Sequence, residues 1–140
     1  MKIGFLTDKN GYRAPIHPES IEKYSLDVHL EKDIFEYLKY SESIQNNVKT
    51  ISKVSDLDIV ACVENIEDKK IKDLKEGAIL IGIFDFEKIE DIKNLRPDIK
   101  ILSFFKLPRI SRAQNLDALS SQANLLGYAS VLRAAKETSD

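Results

Sequence analysis

The sequence predicts an α/β fold: a three-layer, mostly parallel, doubly wound sheet closed by a long C-terminal helix. Three observations carry that expectation. Short apolar runs recur along the chain at Ile3–Leu6, Asp58–Val63, Ala78–Phe84 and Ile99–Phe105. Segments with apolar residues at helical spacing separate them. The links between them are short, which favours parallel strands joined by right-handed crossovers.

Taken in order, Ile3–Leu6 is an apolar strand that runs into the polar loop Thr7–Gly11. Arg13 lies in the loop region that follows. His17-Pro18 opens a helix, because proline suits the first helical position and Glu19 follows it in the first turn. Leu26–Leu30 alternates apolar and polar residues, as a half-exposed strand nearer a sheet edge does. Ile34, Phe35 and Leu38 are spaced for a short helix, and Val48–Ile51 for a short strand. Asp68–Glu76 is read as a helix with Ile71 and Leu74 on one face, ending at Gly77. Ala78–Phe84 is continuously apolar, the pattern of a strand covered on both faces. Glu87–Leu95 puts Ile89, Ile92 and Leu95 together and stops before Pro97.

Composition narrows the function classes. A chain of 140 residues reads as one domain, 1–140, and its net charge of −2 gives no reason to expect nucleic acid. Cys62 is the only cysteine, so no internal disulfide forms. No apolar run approaches the roughly 20 residues of a membrane span, and a cytoplasmic location is expected. His17, His29 and Cys62 are too scattered to predict a metal site. None of the five glycines sits in a G-x-G-x-x-G turn, so the chain carries no dinucleotide-phosphate cradle of its own.

The stretch from Leu107 to Tyr128 stands out, with closely spaced polar residues between the last apolar run and a long helical pattern. Ser111 and Gln114 fit a capping box, and Asp117 suits the first turn of the helix. Leu116, Leu119, Ala123, Leu126 and Leu132 mark its apolar stripe. Capping does not account for Arg109 and Arg112, cations beside the positive end of a helix. Such a pair is what a loop holding an anionic or amide-bearing ligand needs.

The run Pro108-Arg109-Ile110-Ser111-Arg112-Ala113-Gln114-Asn115-Leu116-Asp117, continuing to Asn124 and Gly127-Tyr128, resembles the end of the N-terminal domain of NAD(P) transhydrogenase alpha subunits, relatives of alanine dehydrogenase. The opening Met1–Gly4, Tyr12-Arg13-Ala14-Pro15 and His17-Pro18-Glu19-Ser20 is similar to the family's first strand and turn. The resemblance implies a flavodoxin- or Rossmann-like domain whose Arg-Gln-Asp loop leans over the nicotinamide of NAD(H). A separate Rossmann NAD-binding domain, absent from this sequence, holds that cofactor, and hydride passes to NADP coupled to proton translocation. It further implies that Arg109 steadies the carboxamide or phosphate region, that Gln114 bonds the ribose or ring substituent, and that Asp117 orients one of them. Ser120 is a minor cofactor-binding partner, and no metal takes part. The partners implied are the Rossmann domain or subunit, the NADP-binding and membrane subunits, and a candidate homodimer. The chain then acts only within a complex, as a split subunit or an excised domain, peripheral to the inner membrane.

Two other readings compete. One is a non-catalytic interaction or regulatory module that retains the fold. The other is a fragment of alanine dehydrogenase type, in which Arg13 meets a substrate carboxylate. Against the latter, Glu64 stands where that family carries a lysine, and Phe84-Asp85-Phe86 where it carries a histidine. Arg13 is therefore either an anion-meeting side chain or half of an ion pair, and Asp85 a loop residue. The charge run Glu67–Lys70 is expected to be a solvated helix face.

Overall fold

The computed structural model describes residues 1–8, 13, 15–23, 27–34, 48–108, 110, 113 and 117–137. They belong to two compact units, Met1–Ser103 and Phe104–Asp140. The first is built on strands β1 (Lys2–Phe5), β2 (Asp27–Leu30), β3 (Lys49–Thr50), β4 (Ile59–Ala61), β5 (Ile79–Gly82) and β6 (Lys100–Ser103). Its helices are α1 (Pro18–Lys23), α2 (Asp68–Lys72) and α3 (Phe86–Leu95). The second unit carries a 3₁₀ turn at Phe104–Lys106 and the long helix α4 (Ala118–Glu137).

All six strands pair in parallel, in the order β3-β2-β1-β4-β5-β6. From β1 the chain steps outward to β2 and β3, then returns to β4 on the other side of β1 and steps out to β6. With right-handed crossovers, that reversal puts the helices of the two halves on opposite faces of the sheet. The core divides accordingly. One cluster gathers Leu6, Leu57, Val60, Leu80, Phe84, Ile89 and Ile92 with Ile71 and Leu74; the other holds Ile21, Val28, Leu30 and Ile34. Each such side chain contributes about 1.5–3 kcal/mol when fully buried.

The expected fold class is present, and the elements differ from expectation mainly at their ends. Strands β4 and β5 are shorter than the apolar runs that announce them, although backbone pairing continues a little beyond them, Cys62 N–H donating to Ile81 O at 3.0 Å and Ile83 N–H to Val63 O at 2.7 Å. Strand β2 pairs with β1 and with the edge strand β3, so it lies near the sheet edge as expected. Helix α2 ends at Lys72 rather than Glu76. Its terminal carbonyls are taken up by Arg96, whose guanidinium donates to Lys72 O at 2.8 Å and Leu74 O at 2.7 Å. Gly77 then turns the chain at φ +69°, a left-handed conformation that favours glycine. Helix α4 begins at Ala118, so Asp117 caps it; Ser111, expected in that role, lies outside the described residues, as do Phe35 and Leu38.

The sheet also hides the one thiol. Cys62 is 3% exposed, and burial, helped by the nearby charge of Asp8, pushes its pKa up to about 12. Its thiolate is then roughly three-thousandfold scarcer than that of a free cysteine near pKa 8.5. Native protein at pH 8 is expected to leave an excess of a thiol-alkylating reagent unconsumed, and the same protein in urea to take up one equivalent promptly. Mass spectrometry of the two samples checks this.

Candidate functional site

In a sheet of this kind ligands lie beyond the carboxyl ends of the strands, where the strand order reverses. Here the reversal falls between β1 and β4, and the residues leaving those strands are polar. Leu6 ends the apolar run of β1 and Thr7 and Asp8 follow, both buried at 8% and 5% exposure. Buried polar groups must be satisfied, and each of these is. Asp8 Oδ1 accepts the N–H of Asn65 at 2.9 Å, and Asp8 Oδ2 takes the Arg13 guanidinium at 2.7 Å. Thr7 donates both its N–H and its hydroxyl to Glu31 Oε2, at 2.9 and 2.8 Å.

Two further carboxylates complete the crevice. Glu64, three residues past β4, grips Arg13 with both oxygens, at 3.2 Å to Nη1 and 2.9 Å to Nη2. Glu64 first, and Asp8 second, hold the guanidinium even more firmly in its charged form. Glu31, the first residue after β2, pairs through its other oxygen with Lys70 on α2. The structure therefore brings together the loops that carry Arg13 and Glu64. Asp85 is the N-cap of α3, its Oδ1 accepting the N–H of Lys88 at 2.8 Å. Lys70, expected on a solvated face, is instead half-buried against Glu31.

Sequence reading missed Asp8, Thr7, Glu31 and Lys70. A usable signal was there: each acceptor is among the first polar residues after an apolar run. Glu31 also makes stability pH-dependent. Burial works to raise its pKa, but hydrogen bonds from Lys70 and Thr7, together with the charge of Lys70, outweigh it and leave the carboxyl below its ordinary value. A depressed folded pKa means the stabilisation is complete above the unfolded value of about 4.3 and is lost as pH falls below it. Glu31→Gln is expected to cost about 1–3 kcal/mol at pH 7. Urea titrations should show that gap from wild type narrowing below about pH 4.

The second unit holds the other expected residues. Asp117 Oδ1 accepts the Ser120 N–H at 3.0 Å and Oδ2 accepts the Ser120 hydroxyl at 2.6 Å, so these two are joined at the start of α4. Arg109, Ser111, Arg112 and Gln114 lie outside the described residues. Along α4, Leu125, Leu126, Tyr128, Val131 and Leu132 are exposed, including two members of the expected apolar stripe. Among the described residues no group of three or more His, Cys, Asp or Glu side chains could hold a metal ion. No described helix is long and apolar enough to cross a membrane.

A parallel sheet with this strand order and a polar cluster at the reversal defines a Rossmann-like α/β domain. Comparison with models of known protein families gives no match. The NAD(P) transhydrogenase subunit alpha of Haemophilus influenzae is 35% identical over 92% of the chain, and the first portion of the two-piece subunit alpha of Rickettsia prowazekii is 34% identical over 96%. The crystal structure of the transhydrogenase from Sinorhizobium meliloti superposes on 98% of the chain, with a TM-score of 0.82 and 25% identity. An L-alanine dehydrogenase superposes on 79% with a TM-score of 0.59 and 15% identity, a likeness of fold. The chain belongs with the NAD(P) transhydrogenase alpha subunits, as a homologue of their N-terminal region. It spans 27% and 39% of the two curated relatives and 45% of the solved chain.

Proposed function

We propose that this chain supplies the nicotinamide-facing loop of a transhydrogenase, with Arg109, Gln114 and Asp117 positioning NAD(H) for hydride transfer to NADP coupled to proton translocation. The observation that carries the reading is the homology over 92% of the chain; Arg109, Gln114 and Asp117 are assigned from their own pattern ahead of α4. The nicotinamide ring carries the hydride; the protein's role is orientation and electrostatics. A guanidinium and a carboxamide suit a planar amide-bearing ring, and Asp117, tied to Ser120, fixes the point at which the loop joins its helix.

The cofactor's pyrophosphate does not fit this chain's own crevice. Among the described residues, the strand ends present buried Asp8 after β1, and Glu31 and Glu64 add like charge that opposes a phosphate. A separate Rossmann domain or subunit therefore grips NAD(H), with NADP-binding and membrane subunits completing the complex. The exposed apolar residues of α4 support a partnered state.

The test is reconstitution. Reduction of NADP by NADH is followed with a Rossmann-type NAD-binding partner and an NADP-binding component, with and without this chain. Transfer that depends on the chain supports the reading. Equal rates without it, or tight NADH binding by the chain alone, overturn it.

A further inference from the structure

The Arg13 guanidinium is held from two sides by groups of very different accessibility. On the interior side stands Asp8, 5% exposed and fixed through its second oxygen by the Asn65 N–H. On the solvent side stands Glu64, 40% exposed, with both carboxylate oxygens on the guanidinium's two terminal nitrogens. A planar fork meeting two oxygens is the geometry in which arginine recognises a carboxylate ligand. Its place is the strand-order reversal, where this fold class receives ligands.

We propose that Glu64 is a specificity-determining residue: an internal carboxylate seated where a small carboxylate ligand would bind Arg13, closing the crevice to such anions. Asp8 alone orients the guanidinium, because it is the buried and doubly bonded member; Glu64 is the replaceable one. An intramolecular carboxylate has an effective concentration that a dissolved anion cannot match, so occupancy excludes the ligand by competition. Charge acts in the same direction. Among the described residues, Asp8, Glu31 and Glu64 face Arg13 and Lys70, a net negative set; removing Glu64 makes that set neutral and frees the two guanidinium nitrogens it holds. This inference is independent of the nicotinamide reading, since it concerns residues of the first unit only.

The experiment titrates acetate into the full chain and follows the Arg13 side-chain Nε–H resonance by NMR, with chloride at matched ionic strength as the control. Wild type is expected to show no saturable acetate response. Glu64→Ala is expected to show a saturable one, at least about tenfold tighter than any in wild type, and combining it with Arg13→Lys should abolish the gain. If Glu64→Ala does not keep the native circular dichroism and amide spectrum, Glu64→Gln, which keeps the volume and removes the charge, is titrated instead. A wild-type response equal to the variant's overturns the proposal. So does a folded variant with no response, or a gain that survives Arg13→Lys.

Discussion

Gln114→Asn is expected to slow hydride transfer in the reconstituted complex by about a hundredfold while changing NADH affinity little. The substitution keeps the amide and shortens its reach by one methylene, on the order of 1.5 Å, so the chemistry of the group is preserved and only its position changes. Where a protein accelerates a reaction by holding two rings in register, a misplacement of about 1 Å costs on the order of a hundredfold in rate. The transfer step itself needs no proton donor or acceptor from the protein, so a pure positioning role predicts loss in the single-turnover rate and not in binding. Rapid-mixing kinetics of hydride transfer beside equilibrium NADH titration separates the two. An unchanged transfer rate removes Gln114 from the proposed role, and a parallel loss of affinity makes it an ordinary binding residue.

Phe84→Ala is expected to destabilise the first unit by about 3–5 kcal/mol. The ring is fully buried in the larger core cluster, beyond the end of β5. It lies against Gly82, where an added Cβ would stand 2.5 Å from Phe84 Cζ and 3.1 Å from the Cys62 carbonyl oxygen. Its backbone is pinned to the neighbouring strand, the Phe84 N–H donating to Ser103 Oγ at 3.0 Å and the Ser103 hydroxyl donating back to Phe84 O at 2.6 Å. With the backbone fixed on both sides the site cannot collapse on the missing ring, which puts the cost toward the cavity-dominated end of the range. Domains of this size are stable by only about 5–15 kcal/mol. A fall of about 12–20 °C or more in Tm should therefore accompany a lower urea midpoint at unchanged m-value. A loss under about 1 kcal/mol would show that the surrounding residues repack freely.

Much of the fold was legible because its signals are local. The apolar runs Asp58–Val63 and Ala78–Phe84, within which β4 and β5 fall, and the spacing of Ile89 and Ile92, depend only on the period of the chain and on which residues face the core. The ends of elements were less legible, since they depend on distant groups. Helix α2 stops where Arg96, 24 residues further on from Lys72, takes its terminal carbonyl. Helix α4 is capped by Asp117, which the sequence places in the first turn; aspartate and serine are about equally good caps, and local propensity does not choose between them.

The candidate site divides in the same way. Arg109 and Arg112 stand out in the sequence because capping does not account for them, while the roles expected of Arg109, Gln114 and Asp117 rest on the resemblance to the transhydrogenase family. The strand-end network was not legible. Thr7 meets Glu31 across 24 residues, Glu31 meets Lys70 across 39, and Arg13 meets Glu64 across 51. No local period encodes those distances.

The sequence by itself determined the class of fold, the alternation of strand and helix, and the family to which the chain is related. These rest on apolar periodicity and short-range motifs that need no partner to be read. Only the tertiary structure decided what Arg13 does. The reversal of strand order sets the loops after β1 and β4 side by side, and this brings a buried and an exposed carboxylate onto one guanidinium. The reason is geometric: hydrogen bonds and ion pairs act over about 3 Å, and which residues come that close is settled by how the strands are ordered, not by their spacing along the chain.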